Sequence, residues 1–501
     1  MTATGIEGPG WVDRSAQPIR GLFPLGVEQF LNAAVAVNAP GVTTVTTAAR
    51  YYALHGLVAH EARRLNLDGG AARDLLRRTE VIYALACLAH ERDPAHDRSM
   101  PSPHGADRLK AALALGPVEM DVASGQHAGR YAKAPWGFLG PYRGSEMTLA
   151  ILASDGFAPG PAFDAAVVAR ELGPVVALAR RAERVSLETV EGLGGACLCR
   201  ASSSGDGEWL AQRFAGRAQD IGTRGSVLGQ TMRMIATAIS ETDVHDLDDL
   251  GDFVMYHPLV LAAARTGEVW RRWRGLRLRA ESVEAWRNLW TSMCDVLPEV
   301  GAMTPEQLGA ALADVLPTQT VRAYRDALPP VVDDTGAPLP AERHGSVEGR
   351  DTIDRCLATL MLGAARHRTL PTEGPERLGF EGPPGRSWAV EELSPHWVAT
   401  VSDQWADRSL RDFAIFLAGV MVNRAHRLTV RKSYLRKPDG RYVMPVRIVL
   451  QDGLVVRLFD EEARPPSLRW GPLLSMGRQT GLFSRTDEGR WTAGPRGALL
   501  G

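Results

Sequence analysis

The chain has 501 residues, with 57 Lys or Arg against 58 Asp or Glu and a formal net charge of −1. This length predicts roughly two to four domains with sizeable cores. The balanced charge excludes a uniform basic coat, so any contact with nucleic acid must come from local patches. No apolar run reaches the roughly 20 residues of a membrane span, and the N-terminus lacks signal-peptide features. We therefore expect a cytoplasmic protein that does not contact membranes.

Helical spacing dominates the first part of the chain, which predicts a predominantly α-helical protein with a C-terminal α+β module. Residues 1–330 are predicted to form a mainly helical domain, or two helical subdomains, and the Pro- and Gly-rich residues 331–350 a linker. Residues 351–395 are predicted as a helix followed by a Pro/Gly-rich connection. Residues 396–501 are predicted as a basic α+β module with a winged-helix-like end.

The five cysteines are few, odd in number and scattered, which argues against a disulfide framework. They are Cys87, Cys197, Cys199, Cys294 and Cys356. Only one residue separates Cys197 from Cys199, which is fewer than zinc knuckles use. We expect reduced, mostly buried thiols and no metal or other cofactor. A phosphate-binding P-loop, a Gly-x-Ser-x-Gly elbow and a His-Glu-x-x-His motif are all absent.

An acidic cluster, Asp243 to Asp252, is the best candidate for a carboxylate metal site. His245, Asp246, Asp248 and Asp249 could hold Mg²⁺ or Mn²⁺ for phosphodiester cleavage. The alternative is an acidic helix start, where carboxylates suit the helix dipole.

Residues 268–290 interleave tryptophans with arginines at helical spacing. Such a segment suits stacking on single-stranded nucleic acid. The alternative is a helix whose tryptophans belong to the core.

Residues 424–459 are predicted as three antiparallel strands with positive charge on one face. Between Arg424 and Arg447 the chain has eight Lys or Arg and one acid, Asp439. A turn at residues 437–441 would pair Arg431 with Arg447. Nucleic acid is the commonest partner of such a patch, whereas an acidic protein partner and a merely solvated face are the alternatives. The predicted phosphate-binding residues are Arg427, Arg431, Lys432, Arg436, Lys437, Arg441 and Arg447.

Three segments resemble a bacterial family of uncharacterised proteins that is often found beside phage-defence or mobile-element genes. They are Pro24-Leu25-Gly26, the stretch PGVTTVTTAARYY at residues 40–52, and LGPYRG at residues 139–144. The resemblance implies a defence context, and no catalytic residues can be carried over from it. Arg50, followed by Tyr51 and Tyr52 near a helix start, could bind a phosphate or carboxylate. The alternative is that Arg50 anchors its turn through a buried ion pair.

These patterns support three hypotheses, of which the first is a non-catalytic nucleic-acid-binding subunit of an antiphage defence system with DNA or RNA as partner. The second is a metal-dependent nuclease that uses the acidic cluster. The third is a sensor or scaffold that binds a phage protein or another defence-system protein.

Overall fold

The computed structural model describes residues 17–125, 130–154, 157–218, 222–262, 267–298, 301–343, 351–383, 391–436 and 441–501. The described chain is mostly helical, as predicted. It divides into two compact units, one formed by Met1–Ala34 with Val254–Leu468 and the other by Val35–Phe253 with Arg469–Gly501. The division after Leu468 falls inside the predicted module 396–501.

Helices account for most of the elements. In chain order the α-helices are α1 (Gln29–Asn38), α2 (Arg50–Arg64), α3 (Gly69–His90), α4 (Ala106–Leu113), α5 (Met120–Ser124), α6 (Leu139–Thr148), α7 (Ala165–Arg181), α8 (Leu187–Val190), α9 (Gly205–Phe214), α10 (Gly222–Glu241), α11 (Leu247–Tyr256), α12 (Pro258–Leu261), α13 (Gly267–Val296), α14 (Pro305–Ala313), α15 (Val321–Asp326), α16 (Thr352–Thr369), α17 (Pro375–Glu381), α18 (Pro395–Gln404), α19 (Leu410–Lys432) and α20 (Trp470–Gln479). Short 3₁₀-helices cover Glu191–Ala196, Leu198–Ser203, Ala341–Arg343 and Gly497–Leu500.

The strands are short and form small sheets. They are β1 (Gln17–Arg20), β2 (Val118–Glu119), β3 (Arg184–Val185), β4 (Tyr434–Arg436), β5 (Arg441–Val446), β6 (Ile448–Gln451), β7 (Leu454–Arg457), β8 (Phe483–Arg485) and β9 (Trp491–Ala493). We call the unit of Val35–Phe253 and Arg469–Gly501 the α2 unit, and the unit of Met1–Ala34 and Val254–Leu468 the α13 unit.

Helix α2 is the most deeply buried helix of the α2 unit. It packs against α3 and α7, and eleven of its fifteen residues are buried. Helix α3 begins where the Asp68 carboxylate accepts hydrogen bonds from the backbone N–H groups of Gly70 and Ala71, because a capping oxygen satisfies the first donors of a helix.

A buried imidazole joins α2, α3 and α6. His55 Nδ1 lies 2.6 Å from Glu146 Oε1, and its Nε2 lies 2.9 Å from Glu80 Oε1. All three side chains are fully buried. Burial lowers the pKa of His55, but the charges and hydrogen bonds of Glu146 and Glu80 outweigh it and raise the pKa to about 10. The imidazole is therefore a cation that holds two carboxylates in the core.

The long helix α13 organises the α13 unit and carries the tryptophan-rich segment. Trp273, Trp286 and Trp290 are 2 % exposed or less, so these three belong to the core and do not offer faces for stacking. Helix α17 crosses α13 at very short range, since a Cβ on Gly275 would lie 2.0 Å from the carbonyl oxygen of Glu376.

The first strand of the predicted basic sheet is wrong, because residues 427–432 continue α19. The Arg/Leu/Thr/Val alternation there fits a strand locally. However, the buried residues from Phe413 to Ala425 follow helical spacing, and α19 packs along α14. Tertiary packing thus overrides the local β preference.

The second predicted hairpin is confirmed, and the sheet before it differs from the prediction. Strands β6 and β7 pair with Gln451 opposite Leu454 around the positive-φ residues Asp452 and Gly453, as a two-residue hairpin turn requires. Strand β5 pairs antiparallel with β4 in a register that places Arg436 opposite Arg441, one residue from the predicted pairing. Its other neighbour is β1, which runs parallel to β5 and replaces the predicted third strand.

At the C-terminus α20 is followed by the β8–β9 hairpin and a short 3₁₀-helix, in the order the sequence predicts. Part of the predicted linker is ordered, since the guanidinium of Arg366 donates to the carbonyl oxygens of Val331 and Leu339; residues 344–350 lie outside the described residues. Among the described helices, none is both long and apolar enough to cross a membrane.

The buried His55 predicts that stability falls as pH rises between about 7 and 9. The folded protein keeps a proton on His55 up to a pKa of about 10, whereas the unfolded chain loses it near 6.5. The free energy of unfolding should therefore fall by up to about 3 kcal/mol over these two pH units. Urea unfolding of the wild type and of His55→Gln at both pH values measures this loss. An equal loss of stability in His55→Gln would contradict the assignment of this pH dependence to His55.

Candidate metal centre

Two segments about a hundred residues apart bring four metal-binding side chains together in the α2 unit. His90 is the last residue of α3, and His96 lies in the loop that follows. Cys197 separates the two 3₁₀-helices at residues 191–203, and Cys199 lies in the second of them. The four ligand atoms lie within 4.8 Å of one another, and within the described chain this is the one such group of His, Cys, Asp or Glu.

The distances between the ligand atoms match the edges of a zinc tetrahedron. Bond lengths of about 2.3 Å to sulfur and about 2.05 Å to nitrogen give edges of about 3.6 Å between S and N and about 3.3 Å between two N atoms. The two Nδ1 atoms of His90 and His96 are 3.3 Å apart. Cys199 Sγ lies 3.4 Å from His90 Nδ1 and 3.5 Å from His96 Nδ1, and Cys197 Sγ lies 3.7 Å from His96 Nδ1. These four distances are close to tetrahedral edges, and the two remaining pairs of ligand atoms lie within 4.8 Å, so the four atoms could share a single ion.

The surroundings suit thiolate and neutral imidazole ligands. The backbone N–H groups of Cys199 and Asp97 donate to the sulfurs of Cys197 and Cys199, respectively. Such bonds favour the thiolate. The second ring nitrogen of His90 lies 3.3 Å from Arg200 Nη2 and 3.7 Å from a carboxylate oxygen of Asp93.

In the protein alone the thiols hold their protons. Hydrogen bonding from Cys199 lowers the pKa of Cys197, but hydrogen bonding with Cys87 and burial outweigh it and raise the pKa to about 12. Hydrogen bonding with Cys197, and then burial, raise the pKa of Cys199. A bound divalent cation reverses this preference, because metals bind the thiolate.

Arg50 fixes the same segment from the other side. Its Nε and Nη2 donate to the two carboxylate oxygens of Asp206, each at 2.8 Å, and Nη2 also donates to Ser204. Its Nη1 donates to the carbonyl oxygens of Gly195 and Cys197, both at 2.6 Å. All five N–H donors are used and the side chain is fully buried, so Arg50 is an internal anchor and has no donor left for a phosphate.

Tyr51 and Tyr52 are also fully buried. The Tyr51 hydroxyl accepts a hydrogen bond from the backbone N–H of His104, and the Tyr52 hydroxyl donates to the carbonyl oxygen of Gly41 at 2.6 Å. The ARYY motif thus packs and orients the loops around α2.

The predicted phosphate-binding residues do not share one sheet face. Arg427 and Arg431 lie on α19, where Arg427 forms an ion pair with Glu392 and Arg431 is exposed. Lys432 donates to the carbonyl oxygens of Leu22 and Phe23.

Arg447 is only 6 % exposed and lies within 3.3 Å of the Glu461 carboxylate. It is therefore an internal cation of the α13 unit. Lys437 lies outside the described residues, as do the side chains of Arg436 and Arg441.

The acidic cluster has the geometry of a helix cap. Asp246 Oδ1 accepts from the backbone N–H groups of Asp248 and Asp249, and Asp249 Oδ2 accepts from those of His245 and Asp246. These carboxylates satisfy the donors at the start of α11, so they are turned toward the backbone and do not converge on a common ion.

Sequence reasoning did not bring these four side chains together, and it predicted no metal. Cys197 and Cys199 are too close for a familiar zinc spacing, but His90 and His96, with five residues between them, fit the H-x₃₋₅-H spacing of zinc sites. The available signal was a pair of cysteines on a Gly-rich segment and a pair of histidines around a helix end. The packing of α3 against the 3₁₀-helix Glu191–Ala196 brings the two pairs together.

Comparison of the chain with protein-family models, with curated proteins and with solved structures finds no match.

Replacing Arg50 with Met should lower the free energy of unfolding by about 3–5 kcal/mol, because Asp206 would stay buried without its cation. Burial raises the pKa of Asp206, and at present the hydrogen bonds and charge of Arg50 outweigh burial and hold that pKa below its usual value. The double variant Arg50→Met/Asp206→Leu should lose less than the sum of the two single variants. Urea denaturation at constant zinc measures both effects.

The exposed Glu61–Arg64 pair on the same helix is the matched control. Glu61→Gln should cost less than about 1 kcal/mol. If the losses in free energy of unfolding of the Arg50 and Asp206 variants were additive, the role of Arg50 as an anchor paired with Asp206 would be contradicted.

Proposed function

We propose that this chain is a zinc-binding protein whose ion is structural, and that it acts by binding a partner rather than by catalysis at the metal. The tetrahedral spacing of the ligand atoms of His90, His96, Cys197 and Cys199 carries this proposal. Thiolate together with imidazole in a tetrahedral arrangement favours Zn²⁺ over harder ions such as Mg²⁺. Four protein ligands leave no open position for water or substrate, which is the mark of a structural site.

The ion would join parts of the α2 unit that are distant in sequence. It would link the end of α3 and the 91–105 loop to residues 191–203, whose carbonyl oxygens Arg50 already holds. A metal ion that binds the folded chain and not the unfolded chain stabilises the fold, and this stabilisation grows with the logarithm of the metal concentration. Chelation should therefore loosen the loop at residues 91–105 and lower the melting temperature.

The full-length protein should contain one zinc per chain, measured by elemental analysis after gel filtration. Cobalt substitution should give the visible absorption of a tetrahedral site with thiolate ligands. Cys197→Ser and Cys199→Ser should each lose this absorption and bind zinc at least about tenfold more weakly.

Cys87→Ser and Cys356→Ser are the matched controls and should keep the metal. Cys87 lies beside Cys197 but outside the group of four, and Cys356 is a buried cysteine of the α13 unit. A chain that binds no metal, or one whose metal survives Cys199→Ser unchanged, would refute the proposal.

Nucleic-acid binding within a bacterial antiphage system is a second proposal for the partner. It is supported by two exposed cations one turn apart on α19, Arg427 and Arg431, followed by Tyr434, which is 48 % exposed. Residues at this spacing share a helix face. The order of α20 and the β8–β9 hairpin supports, as part of this proposal, the winged-helix interpretation of the C-terminus.

The double variant Arg427→Glu/Arg431→Glu should weaken DNA or RNA binding and lower the slope of log affinity against log salt by roughly two, one for each lost phosphate contact. Gel-shift titrations at several salt concentrations measure both. Arg411→Glu, at the opposite end of α19, is the control and should leave the slope unchanged. An unaltered slope in the double variant would exclude this face.

A further inference from the structure

The loop at residues 21–26 of the α13 unit is strained and held in place by cations. Phe23 has φ = 57°, in the left-handed region that non-glycine residues rarely adopt. Arg424 Nε donates to the carbonyl oxygen of Leu25 at 2.6 Å, and Lys432 donates to those of Leu22 and Phe23. Strain of this kind persists only where the surroundings enforce it, and it concentrates at ligand sites.

The strained conformation exposes two large apolar side chains. Leu22 is 65 % exposed and Phe23 is 45 % exposed. Both line a cleft of about 390 Å³ together with Trp290 and Thr291 of α13. The cleft is of the size that small ligands occupy, and the Pro24-Leu25-Gly26 motif has no role in the metal centre.

Four arginines face the cleft against three carboxylates. They are Arg20, Arg287, Arg447 and Arg464, with Glu28, Glu461 and Glu462.

Two of the three carboxylates already form ion pairs with arginines of the cleft. Glu461 lies 3.3 Å from Arg447 and accepts a hydrogen bond from Trp290 Nε1 at 3.1 Å. Glu462 pairs with Arg464 at 2.8 Å. Glu28 is buried, and burial raises its pKa although Arg287 and Lys432 oppose the shift.

The remaining cations are Arg20 and Arg287, and within the described chain neither forms an ion pair. Arg287 lies over the Phe23 ring, with its Cζ 5.9 Å from the ring centre. Arg447 Nε is buried and makes no hydrogen bond, although it lies within ion-pair distance of Glu461. The cleft therefore offers a half-exposed aromatic ring beside positive charge, and it has a buried donor that is not satisfied.

We propose that this cleft binds a nucleotide, with the base stacked on Phe23 and the phosphate paired with Arg20 and Arg287. Stacking on an aromatic side chain together with arginine–phosphate contacts is how proteins hold single nucleotides without reading their sequence. A free mononucleotide and a nucleotide within a single strand share this chemistry. The proposal does not depend on the metal centre, which belongs to the other unit.

The test is isothermal titration of the full chain, as purified, with AMP, with inorganic phosphate and with a 5′-phosphorylated single-stranded oligonucleotide. AMP should bind more tightly than phosphate, because phosphate lacks the ring. Tighter binding of the oligonucleotide than of AMP would support the cleft and identify a nucleic acid as the source of the nucleotide. Binding of AMP alone would support the cleft and identify a free nucleotide.

Phe23→Gly removes the ring while keeping the backbone, since glycine adopts positive φ without strain. It should weaken AMP about tenfold and leave phosphate unchanged. Arg287→Gln should weaken both AMP and phosphate about tenfold. Arg411→Gln, an exposed arginine of the same unit outside the cleft, should change neither.

Phosphate binding that is as tight as AMP binding would overturn the proposal, as would affinities unaltered by Phe23→Gly and Arg287→Gln. The absence of binding by all three ligands at millimolar concentration would also overturn it. Circular dichroism confirms that each variant is folded.

Discussion

The backbone around Cys197 is held from two sides, and the order of the α2 unit depends on this double restraint. On one side Arg50 donates to the carbonyl oxygens of Gly195 and Cys197 while it pairs with Asp206. On the other, the sulfurs of Cys197 and Cys199 point at the two imidazoles from the end of α3. A Gly-rich segment of two short 3₁₀-helices has little intrinsic stability. The buried ion pair and the proposed zinc ion provide the restraint that the segment itself lacks.

The periodicity of apolar residues predicted the helices that bury a continuous face. It failed where tertiary packing decides between a helix and a strand. The tryptophan-rich segment was predicted at helical spacing because its tryptophans occur in pairs three or four residues apart, whereas residues 427–432 fit a strand as well as a helix. The packing of α19 on α14 settles that choice, and local alternation carries no information about it. The β6–β7 hairpin was predictable because Asp452-Gly453 imposes its own turn. The neighbour of β5 was not, since β1 lies more than 400 residues away in sequence.

The four side chains of the candidate metal centre also could not be predicted from local sequence. Spacing rules recognise zinc sites whose ligands lie within one short motif, and here the two pairs of ligands are separated by about a hundred residues. The predicted basic face is divided between a helix and the protein interior for a related reason. Arg50, Arg274, Arg366 and Arg447 are buried and bound to carboxylates or carbonyl oxygens. Many arginines of this protein are buried and form ion pairs or hydrogen bonds in its interior. A local excess of arginine in the sequence is therefore not by itself evidence of an exposed basic surface.

X-ray absorption at the zinc edge of the purified full-length protein tests the central claim most directly. It reports the identity and distance of the ligands without a variant that could disturb folding. The structure predicts two sulfurs at about 2.3 Å and two imidazole nitrogens at about 2.0 Å. A protein without zinc, a third sulfur from Cys87, or oxygen ligands in place of the imidazoles would contradict the centre formed by His90, His96, Cys197 and Cys199.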